Sequence, residues 1–159
     1  MTATVNIRVA TAADVPALAE LFRQTVLHHA PSYYSPAQTQ AWASSGTDNP
    51  QFRQLILEVT TYVAVDSTGV LGFAGIGETG YVASAYVRHD CLRQGIGSAL
   101  MQAVLGYAQT HHLQRLYTEA SEFSLGLFQK FGFRIYDTEV VERCGVPFTR
   151  YRMELHHQG

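Results

Sequence analysis

The chain has 159 residues, 47% hydrophobic and 15% charged, with a formal net charge of −2 before its seven histidines are counted. That balance fits one folded domain over residues 1–159, and a single lysine, Lys130, speaks against a nucleic-acid partner held by a basic face. Cys91 and Cys144 are too few for a disulfide framework, no apolar run approaches the roughly 18 residues that span a bilayer, and Asn6 and Arg8 interrupt any signal-peptide pattern, so a cytoplasmic protein with no membrane partner is expected.

Residues 5–9 alternate and predict a strand. Thr11, with Asp14 three positions on, predicts a capped helix start, and Val15, Leu18, Ala19, Leu21, Phe22 and Val26 supply the apolar stripe behind it. Residues 28–34 predict a loop rich in histidine and aromatic residues. Ser35-Pro36 opens a short helix through Trp42, residues 44–50 form a polar linker, and residues 51–59 give a third short helix. Residues 61–65, 70–76 and 81–87 predict three strands, joined by turns at 67–69 and 77–80. After a glycine-bearing loop, a helix runs from Gly97 to about residue 110. A strand over 113–118 follows, then a helix over 121–130 stopped by Gly132, then strands over 134–142 and 149–155 around a turn at Gly145-Val146-Pro147. The order is that of an α+β (mixed α/β) chain with helices on the faces of a sheet.

The loop after the third central strand carries the chemistry. Val87 ends an apolar run, Arg88 to Gln94 are mostly polar, Gly95 and Gly97 follow with Ile96 between them, and a helical pattern begins at once. Free N–H groups at a helix start and glycines without Cβ atoms make an anion site. A P-loop needs Gly-Lys-Ser/Thr, which is absent. A dinucleotide fingerprint needs a third glycine where Leu100 stands and a first glycine directly after the strand. Only Glu119, at the distance of a ribose-binding acid, favours an NAD(P)-binding oxidoreductase.

The loop, together with Phe128-Gln129-Lys130-Phe131-Gly132-Phe133, resembles the GNAT (Gcn5-related) N-acetyltransferase superfamily. That family has a Q/R-x-x-G-x-G/A loop for the acyl-CoA pyrophosphate and, later, a helix ending in a Gly-Phe pair. The element order agrees over nearly the whole chain. Tyr34-Ser35-Pro36, Gln40-Ala41-Trp42 and Glu119-Ala120-Ser121 look like the small YafP-like branch. The resemblance implies a GNAT-like central mixed, mostly antiparallel sheet of about seven strands flanked by helices. It also implies an acetyl-CoA cosubstrate and an amine acceptor on a small molecule or peptide.

Carried over by position, Gly95, Ile96, Gly97 and Ser98 would hold pyrophosphate through backbone N–H, with Leu92 in the usual Gln/Arg slot and Arg93 and Gln94 beside them. Tyr86 and Val87 would border the pantetheine arm, the Val87 N–H polarising the thioester carbonyl. Ser121 stands where Asn is common. Phe128 occupies the slot of the Tyr that protonates the departing thiolate, which motivates an alternative: an acyl-CoA-binding protein without catalysis. Candidate bases for the amine are Glu119, Glu122, His28, His29 and Tyr117, with Glu119 first. Glu119 equally suits a charge at the start of the helix that follows it. His28, Tyr33, Tyr34 and Trp42 are read as acceptor-binding, the aromatic cluster having packing as its other reading. The adjacent histidine pairs 28–29, 111–112 and 156–157 lack partners at ligand spacing, so no metal is expected. The net charge favours a neutral or cationic acceptor over an acidic one, and the last two strands allow a homodimer.

Overall fold

The computed structural model describes residues 4–92 and 94–156. Among them are seven strands, split between two sheets where one was expected. Strands β1 (Asn6–Val9), β2 (Thr60–Asp66), β3 (Gly69–Ile76) and β4 (Val82–Val87) form an antiparallel meander in that order. Strands β5 (Arg115–Ala120), β6 (Arg134–Arg143) and β7 (Val146–His156) form the second sheet, in the order β5-β7-β6 and again antiparallel.

The two sheets meet at one place. Tyr81 bridges Tyr117 in parallel, the Tyr117 N–H donates to Gly80 O at 3.0 Å, and the Thr118 hydroxyl donates to Val82 O at 2.8 Å. Beyond Val82 the two parallel strands part, and no hydrogen bond among the described residues joins β4 to β5 further along. Gly80 makes the junction possible. Its φ is +96°, and a Cβ there would lie 2.2 Å from Arg115 O, closer than any side chain permits.

Helix α1 (Val15–His29) is pinned at its start: the Thr11 N–H donates to Asp14 Oδ2 at 2.8 Å, and Arg8 grips the same carboxylate with both terminal nitrogens. The expected stripe faces inward, with Leu18, Phe22 and Val26 packing on Val63 and Phe73 together with α2 (Pro36–Ala43) and α3 (Pro50–Leu57). Helices α4 (Ile96–Thr110) and α5 (Leu125–Lys130) cover the opposite face, where Leu100, Met101 and Val104 meet Ala64, Leu116 and Met153. Neighbouring Val63 and Ala64 are both fully buried on opposite sides of β2, as a strand's alternation requires when both faces are covered. No helix among the described residues is long and apolar enough to cross a membrane.

Three local expectations are corrected. His28 and His29 belong to the end of α1, and the loop after it begins with a 3-10 turn at Ala30–Ser32. Helix α5 starts at Leu125, since the hydroxyls of Ser121 and Ser124, 2.9 Å apart, hold the preceding residues in a turn. The last hairpin turns at Cys144-Gly145, both at positive φ, with Arg143 paired to Val146. A two-residue hairpin loop of this kind demands φ > 0 at both positions, so Val146 and Pro147 are already strand.

Candidate active site

The parting of β4 from β5 leaves two cavities that share Ala85 and Ser124. The first, about 1240 Å³ of space open to solvent, lies between the end of α1, the loop after β4 and the starts of α4 and α5. The second is a narrower cleft, about 610 Å³ counted with the solvent open to it, between α2, β4, β5 and the β6–β7 hairpin.

Leu92, Gly95, Ile96, Gly97 and Ser98 line the larger cavity. Gly95 caps α4 at a φ of +82°, so the chain turns sharply into the helix and its first N–H groups face the cavity. A Cβ on Gly97 would meet Leu127 and Val87 only at ordinary contact distances of 3.4 to 3.5 Å, so its absence leaves room on the cavity side. Lys130, on the last turn of α5, extends its ammonium across to donate to Ser98 Oγ at 2.8 Å. The chain's one lysine thus adds positive charge to a helix start already favourable to anions. Arg93 lies outside the described residues. Gln94 is exposed in the loop and does not line the cavity.

Val87 stands on the wall of this cavity, at the edge of the gap. The Arg88 N–H donates to Leu71 O on β3 at 2.7 Å. Successive N–H groups along a strand point to opposite edges, so those of Val87 and Ala85 point away from β3, into the gap. The Val87 carbonyl, on the same edge, accepts the Thr25 hydroxyl of α1 at 3.2 Å. Tyr86, on the alternate face, lines the cleft and packs against Phe22 and Phe73; burial pushes its pKa up to about 12.

The cleft gathers side chains from six helices and strands. Tyr34, Trp42 and Phe148 form an aromatic wall with ring centroids 5.4 to 6.2 Å apart. Glu119 enters from β5, five residues ahead of the last residue before α5, which removes its reading as a charge on that helix. One oxygen of Glu119 lies 3.9 Å from Arg150, while Oε2 is buried without a hydrogen-bond partner. Tyr81 packs against the same carboxylate, and burial together with that neighbour raises the pKa of its hydroxyl. Arg143 and Arg150 complete the lining, and Ser121 and Phe128 close it toward α5. Phe128 is 3% exposed and stacks edge-on with Phe133, an apolar wall with no proton to give.

The other candidates are placed differently. Tyr33 borders the larger cavity and is mostly exposed, away from Tyr34 and Trp42. His28 lines neither cavity: its Nδ1 pairs with Gln24 O at 2.9 Å and its ring stacks on His89 at 3.6 Å. His29 lines the larger cavity, with burial lowering its pKa and Nε2 left without a partner. Glu122 is engaged by the Tyr151 hydroxyl, and its N–H donates to Tyr34. Tyr117 meets Thr79 at 2.9 Å outside the cleft. Among the described residues no group of three His, Cys, Asp or Glu side chains is arranged to hold a metal.

Reading the sequence alone missed Thr25, Phe123 and Lys130 in the larger cavity and Arg143, Phe148 and Arg150 in the cleft. No local motif marks them. Lys130 had a faint signal, as a lone lysine inside the Phe128–Phe133 motif, and Arg143 another, beside a hairpin turn.

Residues 31–155 match the profile of the acetyltransferase (GNAT) domain. A GCN5-related N-acetyltransferase from Rhodopseudomonas palustris superposes with a TM-score of 0.91 at 22% identity, over 99% of each chain. The PaiA N-acetyltransferase of Thermoplasma acidophilum, solved in complex with coenzyme A, gives 0.79 at 16% identity over 97% of this chain and 99% of its own. YncA of Salmonella typhimurium, solved with acetyl-CoA, gives 0.65 at 22% over 96% and 93%. These likenesses are of fold. No curated protein matches the sequence.

Proposed function

The chain belongs to the GNAT acetyltransferase family, and from that membership we propose that it is an N-acetyltransferase that binds acetyl-CoA in the larger cavity. The acetyl group passes directly to an amine, of a small molecule or peptide, held in the cleft. The observation that carries this reading is the gap beyond the Tyr81–Tyr117 bridge, where the Val87 N–H points freely between two cavities that meet at Ala85 and Ser124.

The pyrophosphate of the cosubstrate takes the N–H groups at the start of α4, with Lys130 beside it. The pantetheine arm lies along the free edge of β4 as an added strand would. Its thioester carbonyl then meets the Val87 N–H, a donor fixed in place before charge develops on the oxygen. Glu119 takes the proton from the amine. The nitrogen lone pair attacks the carbonyl carbon and the C–N bond forms; the tetrahedral intermediate collapses as the C–S bond breaks, the electron pair leaves on sulfur, and the nitrogen's surplus proton passes to solvent water. A thiol pKa near 8.5 makes that thiolate a modest base, so water at the open mouth serves as its proton source and Phe128 need supply none. A second reading rests on the same Phe128: acyl-CoA binding without turnover.

Thermal-shift titrations with acetyl-CoA, CoA and NAD test the cosubstrate, and thiol release over a panel of amines tests transfer. Saturation at a hundred times Kd adds about 2.7 kcal/mol of stability. Stabilisation by the CoA forms with turnover supports the proposal. Stabilisation without turnover on any amine favours the binding protein, and a response to NAD alone refutes both.

A further inference from the structure

We infer that the acceptor carries an acid group as well as its amine: a carboxylate-bearing primary amine on an apolar body, an α-amino acid with an apolar side chain being the smallest such molecule. The inference rests on the acetyl-transfer reading of the cleft and concerns what that cleft selects.

The charges of the cleft are divided. Glu119 is its one carboxylate, and its buried Oε2 lacks a hydrogen-bond donor. Two guanidiniums share the lining. Arg150 has its charge met by Glu139 at 2.5 Å and more distantly by Glu119 Oε1 at 3.9 Å, yet its Nε–H is buried and unpartnered. Arg143 makes no ion pair among the described residues and lines the cleft together with Tyr34, Tyr86 and Phe148. A buried carboxylate oxygen and a buried guanidinium N–H, both without partners, need opposite charges from a ligand. An ammonium satisfies Glu119 Oε2 and is positioned there to lose its proton. A carboxylate satisfies Arg143 and Arg150 Nε, with charge-assisted bonds stronger than neutral ones.

The remaining surface is apolar: Tyr34, Trp42 and Phe148 leave a flat wall for a side chain. A polyamine would set a second cation against Arg143, which excludes that class. The slightly negative net charge points the other way from the cleft, because the local field at a half-enclosed site is set by the two or three charges lining it.

The test uses matched acceptors: L-phenylalanine, L-phenylalaninamide and phenethylamine, and the corresponding leucine series. Each is assayed by thiol release from acetyl-CoA and by calorimetric binding to the CoA-loaded protein. The amide has the least basic amine, so free-amine chemistry favours it, and a preference for the acid must come from the site. The acid is expected to exceed its amide and its decarboxylated amine in kcat/KM by about tenfold or more, the scale of one charge-assisted contact. Arg143→Gln should lower kcat/KM for the acid about tenfold more than for the amide, with the acetyl-CoA thermal shift read in parallel to show that the variant is folded. Equal or better use of the amides or simple amines overturns the inference and leaves acetyl transfer standing. Arg143-dependent binding of the acids with no thiol release leaves the cleft a site for such amino acids but overturns the acetyl-transfer reading, and with it their role as acceptors. Failure of both acids to bind overturns the inference.

Discussion

The two cavities share a wall and differ in what builds it. The larger one works through backbone: the N–H groups ahead of α4, the free edge of β4, and the space left by a missing Cβ at Gly97. Its backbone determinants fall between Ala85 and Ser98. The cleft works through side chains scattered over several elements: Trp42 from α2, Glu119 from β5, Arg143 from the end of β6, Phe148 and Arg150 from β7. A ligand site made of backbone tolerates many side chains around it, whereas one made of side chains changes character with a single exchange. The first arrangement suits a cosubstrate that is always the same, the second an acceptor that distinguishes one enzyme from another.

The most damaging single change should strike both cavities together. Gly80→Ala drives a methyl into Arg115 O at a backbone angle that L residues rarely adopt, so it should cost about 3 kcal/mol of stability. Cosubstrate and acceptor binding should weaken in parallel. Loss of one without the other would mean that the strand junction is not their common support. Gly97→Asp should instead separate them. Its Cβ has room, and an acidic residue in the first turn suits the helix dipole, so folding should hold. The carboxylate faces the pyrophosphate, and CoA affinity should fall about a hundredfold by calorimetry. Retained affinity would refute the loop assignment.

Glu119→Gln sharpens the contrast from the other side. Removing a general base should lower kcat/KM about a hundredfold, while the thermal shift with acetyl-CoA stays as in the parent. A fall in Tm with little change in rate would make Glu119 structural. The smallest effect is expected at the pin of α1, a helix that walls only the larger of the two cavities. Arg8 holds the Asp14 carboxyl down at a pKa of about 2, against an ordinary value of 3.8. A carboxylate with a depressed folded pKa stabilises above its unfolded value and loses that contribution as pH falls toward the folded one. Between about pH 4 and pH 2 the parent should lose about 1 kcal/mol more than Asp14→Asn, allowing for the exposure of Arg8. Equal acid sensitivity in the two proteins would discount the pin.

Much of the secondary structure was readable because its signals are local. The stripe on α1 reports a buried face, Ser35-Pro36 a helix start, and Gly132 a stop at a φ of +93°. The errors came where side chains compete with the pattern: the Ser121–Ser124 hydroxyls delay α5, and the Cys144-Gly145 turn moves β7 forward by three residues. The division of seven strands into two sheets had no sequence signal. It follows from a steric contact at Gly80 and from the absence of pairing beyond Val82, and both depend on residues some 35 apart along the chain.

The sequence by itself determined the glycine-bearing helix start and the order of elements, because a turn, a cap and a hydrophobic period are written in adjacent residues. It also supplied Glu119, though with two roles open. Only the tertiary structure separated Tyr33 from Tyr34, took His28 out of the lining of both cavities, brought Lys130 to Ser98 and gathered Arg143 and Arg150 into one cleft with Glu119. Net charge sums over the whole surface and local charge over a cleft, and the fold alone decides which residues the cleft contains.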